Sequence, residues 1–452
     1  MSSSVTLRAP LDANQRLLAI GLVLGVTLVA FESTAVITAL PTIADQLGGD
    51  SLYGVALACY TLADLVALVA AGMLADRIGP RIPFLLAIAT FVVGLAVAGT
   101  ATSMEVVVLG RTLQGAGTGG FAPLAYVFVK RAFPDDRQPT MYALLSAGWV
   151  LPSLIAPAFS GVVVEHAGWK WVFLSIIPFA VAVGVIGSRP MRPYGPTGAD
   201  ATASPRRLAY AFGAAGGVGA LVIGLQSDHL IAATIASVGG VALAVPMIKR
   251  LLPSGLYAAR SGLAAVLACR VLATATFLGV DSFVPLAADR IHGATAVVQG
   301  FVIVGAALAW TGGQAIMSRR THIAPRAPVR LGFVLLMIGT VLVVPVLWRD
   351  WPLWVTFLSW PVGGLGMGIL FNPTTLAAMS FAEPGREGTV SGQTHFADAL
   401  GFSLMGGIGG ATIAIADRTS LGLRPAIGIN FALAIACAIL GLIASRGVRR
   451  AV

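Results

Sequence analysis

Long apolar runs recur along the whole chain, separated by short clusters of arginine, proline, glycine and aspartate. A helix that crosses a bilayer needs about 20 mostly apolar residues. On that ruler fourteen runs qualify, near 17–39, 53–75, 83–101, 105–129, 139–164, 171–187, 208–226, 229–248, 263–287, 294–316, 329–347, 352–376, 389–415 and 425–445. The pattern predicts an all-α integral membrane protein with 14 transmembrane helices. The longest polar stretch between spans, Ser188 to Arg207, carries Pro190, Pro193, Pro196 and Pro205 and reads as a linker. The spans group as six, two and six. This predicts a six-helix bundle over 1–190, a linker with two inserted helices over 191–255, and a second six-helix bundle over 256–452.

The basic residues fix the direction of threading. With the amino terminus in the cytoplasm, 22 of the 29 Lys and Arg residues fall in cytoplasmic segments and five in outer segments: Lys170, Arg290, Arg349, Arg418 and Arg424. Two more, Arg111 and Arg270, fall inside spans. This inside excess is what insertion favours, and merging or splitting one span would reverse the sorting downstream of it. Both termini are therefore expected in the cytoplasm.

Composition agrees with this picture. Hydrophobic residues make up 57% of the 452 and charged residues 11%. A soluble fold that apolar would expose large greasy patches, whereas a bilayer acts as the apolar solvent. The 54 glycines suit membrane helices, which associate through small residues. The net charge of +10 contains no basic run longer than two, so it reads as topogenic charge and not as a nucleic-acid site. Cys59, Cys269 and Cys437 lie far apart in apolar stretches and read as inert buried thiols. No cleavable signal peptide, metal site or cofactor is expected.

Four motifs carry chemistry. The first cytoplasmic turn reads Gly72-Met73-Leu74-Ala75-Asp76-Arg77-Ile78-Gly79-Pro80-Arg81. The fourth span reads Leu109-Gly110-Arg111-Thr112-Leu113-Gln114-Gly115-Ala116-Gly117. Its glycines permit close helix approach, and it is not a nucleotide loop because no strand precedes it. The fifth span holds Ala156-Pro157-Ala158-Phe159-Ser160-Gly161, and the first ends Phe31-Glu32-Ser33-Thr34-Ala35-Val36-Ile37-Thr38-Ala39-Leu40-Pro41. Together these resemble the signatures of the major facilitator superfamily, and the first-span motif resembles that of its drug:proton antiporter branch. The fourteen-span count matches the fourteen-helix arm of that branch, as does Gly168-Trp169-Lys170-Trp171-Val172-Phe173. The departures are Pro80 for a basic residue, Ala156 and Ser160 for glycines, and Glu32 for aspartate. The resemblance covers nearly the whole chain, but its specific motifs lie in the first half. It implies a cytoplasmic gate at Gly72, Asp76, Arg77, Gly79 and Arg81, where the aspartate and basic residues latch the two bundles. It also implies an antiporter motif at Ala156, Pro157 and Gly161, and proton handling at Arg111.

Proton coupling needs a carboxyl that titrates near working pH. Burial raises an acid's pKa and a nearby cation lowers it, so an approaching and retreating arginine drives uptake and release. Glu32, Asp64, Asp281 and Asp398 lie inside spans. Glu32 and Arg111 sit at similar outer depth and are expected to pair, with Glu32 as the main proton site. Arg111 has a second reading, a side chain snorkelling outward from roughly 9 Å inside the outer end. Asp64 reads either as a second proton site or as a structural hydrogen-bonded acid. Arg270 and Asp398 share a depth, and His395 lies one helix face from Asp398, so the three read as a proton relay or as a static pair. Asp281 is placed to face an outer vestibule. Phe31, Gln114, Trp149, Trp360 and Asn372 are candidates for a substrate path suited to lipophilic, often cationic molecules, with packing as the competing reading of each. Trp348, Trp351 and Trp354 read as an interfacial anchor.

The resulting expectation is an inner-membrane (plasma-membrane) multi-pass transporter, acting as a monomer. Its partners would be a small-molecule substrate, protons and the lipid bilayer. It would export amphipathic or drug-like molecules by proton antiport through alternating access. A dedicated exporter of a metabolite, lipid or siderophore, and a proton-coupled uptake symporter, are the rival readings. An enzyme is disfavoured, because no nucleophile–base constellation emerges. No Walker-type loop is present for ATP-driven transport.

Overall fold

The computed structural model describes residues 11–48, 52–196, 205–226, 230–294, 296–418 and 422–451. Part of the polar linker, 197–204, and the side chains of Ser153 and Leu154 lie outside the described residues. Among the described residues the regular elements are all helical. They run α1 (Ala13–Leu47), α2 (Tyr53–Ile78), α3 (Arg81–Gly99), α4 (Met104–Ala132), α5 (Gln138–Ala147), α6 (Val150–Ala167), α7 (Lys170–Leu174), α8 (Ile177–Ser188) and α9 (Pro205–Gln226). The chain continues through α10 (Leu230–Leu251), α11 (Leu263–Asp281), α12 (Val284–His292), α13 (Ala296–Ser318), α14 (Arg326–Val343), α15 (Thr356–Ser380), α16 (Glu387–Arg418) and α17 (Leu423–Ala444).

Among the described residues, thirteen helical crossings are long and apolar enough to span a membrane. The fourteenth is α4, a 29-residue helix whose Glu105, Arg111 and Gln114 dilute its apolar character. Three spans expected as unbroken are jointed: α5 with α6, α7 with α8, and α11 with α12. Pro178 and Pro285 stand in the first turns of α8 and α12, where a missing N–H costs nothing. The expected end of the first span at Pro41 is also corrected. The 35-residue α1 runs through Pro41 to Leu47, about 52 Å at 1.5 Å per residue, which puts Glu32 near its middle.

The first six spans, α1–α8, pack mainly on one another, and so do the last six, α11–α17. The seam between them is made by α2 and α4 against α16, and by α5 and α6 against α13. The α9–α10 pair lies outside, against α2 and α16.

Glycine sets several of the closest approaches. A Cβ at Gly115 or Gly119 of α4 would overlap the Tyr60 or Asp64 carbonyl of α2. Gly364 and Gly368 of α15 lie in the same way on the Ala306 and Trp310 carbonyls of α13. Lipid offers no hydrophobic drive for association, so contact of this kind replaces it.

A test follows from the α14–α15 contact. A Cβ at Gly366 would lie 2.7 Å from the Gly332 carbonyl oxygen and 2.8 Å from the Leu336 nitrogen. Gly366→Val is expected to cost about 1–3 kcal/mol, read as a lower unfolding temperature of the purified protein. Gly216→Ala, whose Cβ meets nothing within 4 Å, is expected to leave that temperature unchanged. Equal losses in both would refute the packing account.

Candidate functional site

Two buried arginines organise the interior. In the first six spans Arg111 Nη1 donates to Glu32 Oε1 at 2.5 Å and to Gln114 Oε1 at 2.6 Å. The guanidinium lies 4.0 Å from the centre of the Tyr60 ring, and the Tyr60 hydroxyl is 3.0 Å from Ser33 Oγ. Glu32, Arg111 and Gln114 are fully enclosed, at 0%, 1% and 0% exposure. Glu32 Oε2, Arg111 Nε and Gln114 Nε2 have no hydrogen-bond partner among the described residues. The expected pairing of Glu32 with Arg111 is present, and Arg111 does not snorkel to the surface. One turn along α2 from Tyr60 and along α4 from Gln114, Thr118 Oγ1 donates to Asp64 Oδ1 at 3.2 Å. The Tyr60 and Asp64 contacts depend on the glycine-mediated approach of α2 and α4.

The last six spans hold a second pair. Arg270 donates from Nε to Asp398 Oδ1 at 2.8 Å and from Nη2 to Asp398 Oδ2, a two-pronged contact. Its Nη1 donates to Thr375 Oγ1 at 2.8 Å and to the Phe371 carbonyl at 3.3 Å. Thr274 Oγ1 also reaches Asp398 Oδ1, at 3.4 Å. The guanidinium lies 3.7 Å from the centre of the Phe371 ring.

The proposed third member of a relay is elsewhere. His395 makes no hydrogen bond to Asp398 among the described residues. Its ring lies 4.3 Å from that of Tyr126 on α4, across the seam, and its Nε2 is unpartnered among the described residues. Spacing of three residues puts two side chains on one helix face, but a face is wide enough for each to meet a different neighbour.

Asp281, expected to face an outer vestibule, is partly buried and engaged by a neighbour. It accepts a 2.7 Å hydrogen bond from the Trp360 indole, which stacks on Phe277 with centroids 5.2 Å apart. Several substrate-path candidates are likewise engaged. Gln114 holds Arg111. Asn372 donates to the Pro139 carbonyl at 2.9 Å, tying α15 to α5 across the seam. Phe31 packs on Phe159 with centroids 5.1 Å apart, and Trp149, at the α5–α6 joint, is 50% exposed. Ala156 is buried and Pro157 lies within α6, where Ser160 donates to the Ala35 carbonyl of α1 at 2.8 Å. A Cβ at Gly161 would meet nothing within 4 Å.

At the end of the molecule holding the α2–α3 turn, the seam is shut. The Asp76 carboxylate caps the amino terminus of α16. It accepts from Gly388 N at 2.6 Å, Thr389 N at 2.7 Å and Thr389 Oγ1 at 2.7 Å. The first N–H groups of a helix have no partner within it, so a carboxylate there is doubly favoured, by hydrogen bonding and by the helix dipole. Gly72 lies against the Gly388 backbone with no room for a side chain. Beside them Arg131 of α4 pairs with Glu387 of α16 at 2.8 Å. Of the basic residues expected in this latch, Arg77 is exposed, and Arg81 donates to the Ser188 carbonyl at 3.3 Å, on its own side of the seam. Gly79 adopts φ 81°, packed on the Gly195–Pro196 backbone. Sequence reading missed Arg131, Glu387, Thr389, Tyr60, Thr118, Thr274 and Thr375. Glu387 directly before Gly388-Thr389 was a helix-start signal in plain view. The threonines and tyrosine carried none.

The first pair is testable by stability alone. Arg111→Gln leaves the buried Glu32 without its cation and is expected to cost about 3–5 kcal/mol. Glu32→Gln with Arg111→Gln is expected to cost roughly half of that or less, because no lone charge remains. Thermal unfolding of the four members of the cycle checks this, and simple additivity would refute the pairing.

The Major Facilitator Superfamily model matches residues 22–406. A protein named as a probable multidrug-efflux transporter of Mycobacterium tuberculosis is 26% identical over 421 residues, covering 86% of each chain. A putative multidrug resistance protein MdtD of Klebsiella pneumoniae is 34% identical over 160 residues, covering 35% of this chain and 33% of its own. In three dimensions the human organic anion transporter MFSD10 superposes with a TM-score of 0.73 at 16% identity, over 96% of this chain and 100% of that one. The proton:xylose symporter XylE superposes with a TM-score of 0.68 at 12% identity, over 95% of both. Each of these two structures shares the fold described above. The chain belongs to the Major Facilitator Superfamily and is a multi-pass membrane transporter of that family.

Proposed function

We propose that this transporter exports amphipathic, drug-like molecules in exchange for protons. The observation that carries the reading is the Glu32–Arg111 contact. A carboxylate and a guanidinium stand in direct contact, both fully enclosed, and the second carboxylate oxygen is left unpartnered. Ions are retained inside a membrane domain where they act on a transported charge. Proton uptake by Glu32 would cancel its attraction for Arg111 and free the guanidinium for Gln114 and Tyr60. Proton loss would restore the pair. The efflux names of the relatives and the resemblance of the first-span motif to drug:proton antiporters favour export.

The remaining parts fit alternating access. The Asp76 end is the cytoplasmic one in this reading, as the positive-inside excess requires, and it is drawn here in its closed state. Both termini then lie in the cytoplasm, and the protein sits as a monomer in the plasma membrane. Opening would strip Asp76 from the start of α16 and part Arg131 from Glu387. Asp64, one turn along α2 from Tyr60 and hydrogen-bonded by Thr118, is a second proton site. The Arg270–Asp398 pair is a static brace of the second bundle, since Arg270 is already held by four acceptors on two helices, α15 and α16.

Purified protein in liposomes with an imposed pH gradient tests this. Lipophilic cations added to the wild type are expected to drive proton movement, and Glu32→Gln is expected to lower it about 100-fold or more, the range that a positioned proton-transfer group contributes. Unchanged coupling in Glu32→Gln would overturn the role of Glu32. Silence of the wild type across a panel of cations would overturn the substrate class.

A further inference from the structure

The end of the molecule opposite Asp76 carries few basic residues. Only Lys170, Arg290, Arg349, Arg418 and Arg424 belong to the segments on that face. Three of these five arrive in one place. Arg290 comes from the last turn of α12, Arg349 from the loop after α14, and Arg424 from the first turn of α17, and together they line a cleft of about 480 Å³. Asp289, Ile291, His292, Gly293 and Leu423 complete its lining. Insertion disfavours arginine on this face, so convergence of three from distant points in the chain is not a by-product of threading.

The charge is not neutralised from within. Asp289 is the one acid among the lining residues, and it lies 3.4 Å from Arg290. Arg349 and Arg424 have no ion-pair partner among the described residues. His292 is tied to the wall, with Nε2 2.8 Å from the Val346 carbonyl. Gly422 supplies no side-chain cap at the start of α17, whose first residues Leu423 and Arg424 line the cleft at the positive end of the helix dipole. The volume is that of roughly sixteen waters at about 30 Å³ each, ample for a tetrahedral anion and its ester.

Neighbouring tryptophans set its depth. Trp348 and Trp354 flank Arg349 and are 57% and 62% exposed. Exposed tryptophans on a membrane protein mark the headgroup layer. The cleft therefore lies where phosphate esters are the commonest anions. We propose that it is a phosphate-binding site occupied by the headgroup of an anionic phospholipid on that side of the membrane. Arg349 and Arg424 would hold the phosphate, and Asp289 would disfavour a second negative charge near Arg290. The site lies apart from the buried ion pairs and does not depend on which substrate is carried.

Native mass spectrometry of the full chain with phosphatidylglycerol and with phosphatidylcholine of the same acyl chains tests the proposal. Wild type is expected to retain phosphatidylglycerol preferentially. Arg349→Gln with Arg424→Gln is expected to lose that preference by roughly 20- to 30-fold, two near-surface charges' worth. Arg349→Lys with Arg424→Lys is expected to keep most of it. Arg319→Gln with Arg320→Gln, exposed at the other end, is expected to keep all of it. Equal retention in wild type and the Arg349/Arg424 double variant, or an equal loss in the Arg319/Arg320 control, would overturn the site. Inorganic phosphate separates the two sources of the anion. Competition with phosphatidylglycerol supports a shared phosphate site. Phosphate binding that is lost in the double variant, without any lipid preference, would overturn the lipid as the ligand. If the double variant is not monodisperse, Arg424→Gln alone carries the comparison.

Discussion

The contact between Arg111 and Glu32 constrains the helices around it. A lone ion at this depth is expensive, and even a paired one needs further donors and acceptors to be tolerated. Arg111 finds them in Gln114 on its own helix and in the Tyr60 ring on α2. The ring reaches the guanidinium only because Gly115 lets α2 settle onto the α4 backbone. A larger residue there would lift Tyr60 away and leave the cation with one partner fewer. The second buried arginine solves the same problem in the same way. Arg270 has a carboxylate in front, an aromatic ring beneath and a threonine at its side. The two sites share chemistry without sharing a sequence motif.

Much of the architecture was legible because the bilayer imposes a simple ruler. Span length and arginine placement sufficed for fourteen crossings, and equal depth sufficed to pair Glu32 with Arg111. The joints were hidden for a physical reason. A break at Gly148–Trp149 or Ser282–Phe283 keeps the run apolar, so hydropathy passes over it. Prolines 178 and 285 were visible, but a proline inside an apolar run signals a new first turn and a tolerated kink equally well. Long-range polar contacts were the least legible. Nothing in local pattern links Asp281 to Trp360, or Asn372 to the Pro139 carbonyl. His395 was assigned to Asp398 by spacing alone, and it turned instead to Tyr126, which lies on another helix.

The closed end combines three contacts of different character. Asp76 on the start of α16 is a helix cap made between separate parts of the chain, of a kind worth about 0.5–2 kcal/mol within one helix. Arg131 with Glu387 is a nearly enclosed ion pair, at 8% and 10% side-chain exposure. Ser391 on the Pro123 carbonyl, at 2.8 Å, is a neutral hydrogen bond. When the seam parts, water can satisfy each of these groups, so the net loss is far smaller than the gross one. The end is thus held shut by contacts whose net strength is modest.

The meeting of Gly72 with Gly388 bears on how fast such a seam can re-form. Where two surfaces close through interlocking side chains, each side chain must find its own rotamer before the fit is restored. Here the contact is main chain on main chain, already rigid within α2 and α16. There is nothing to sort. Re-closure at this point becomes a rigid-body encounter of two smooth rods, timed by the motion of the bundles and not by a conformational search at their boundary.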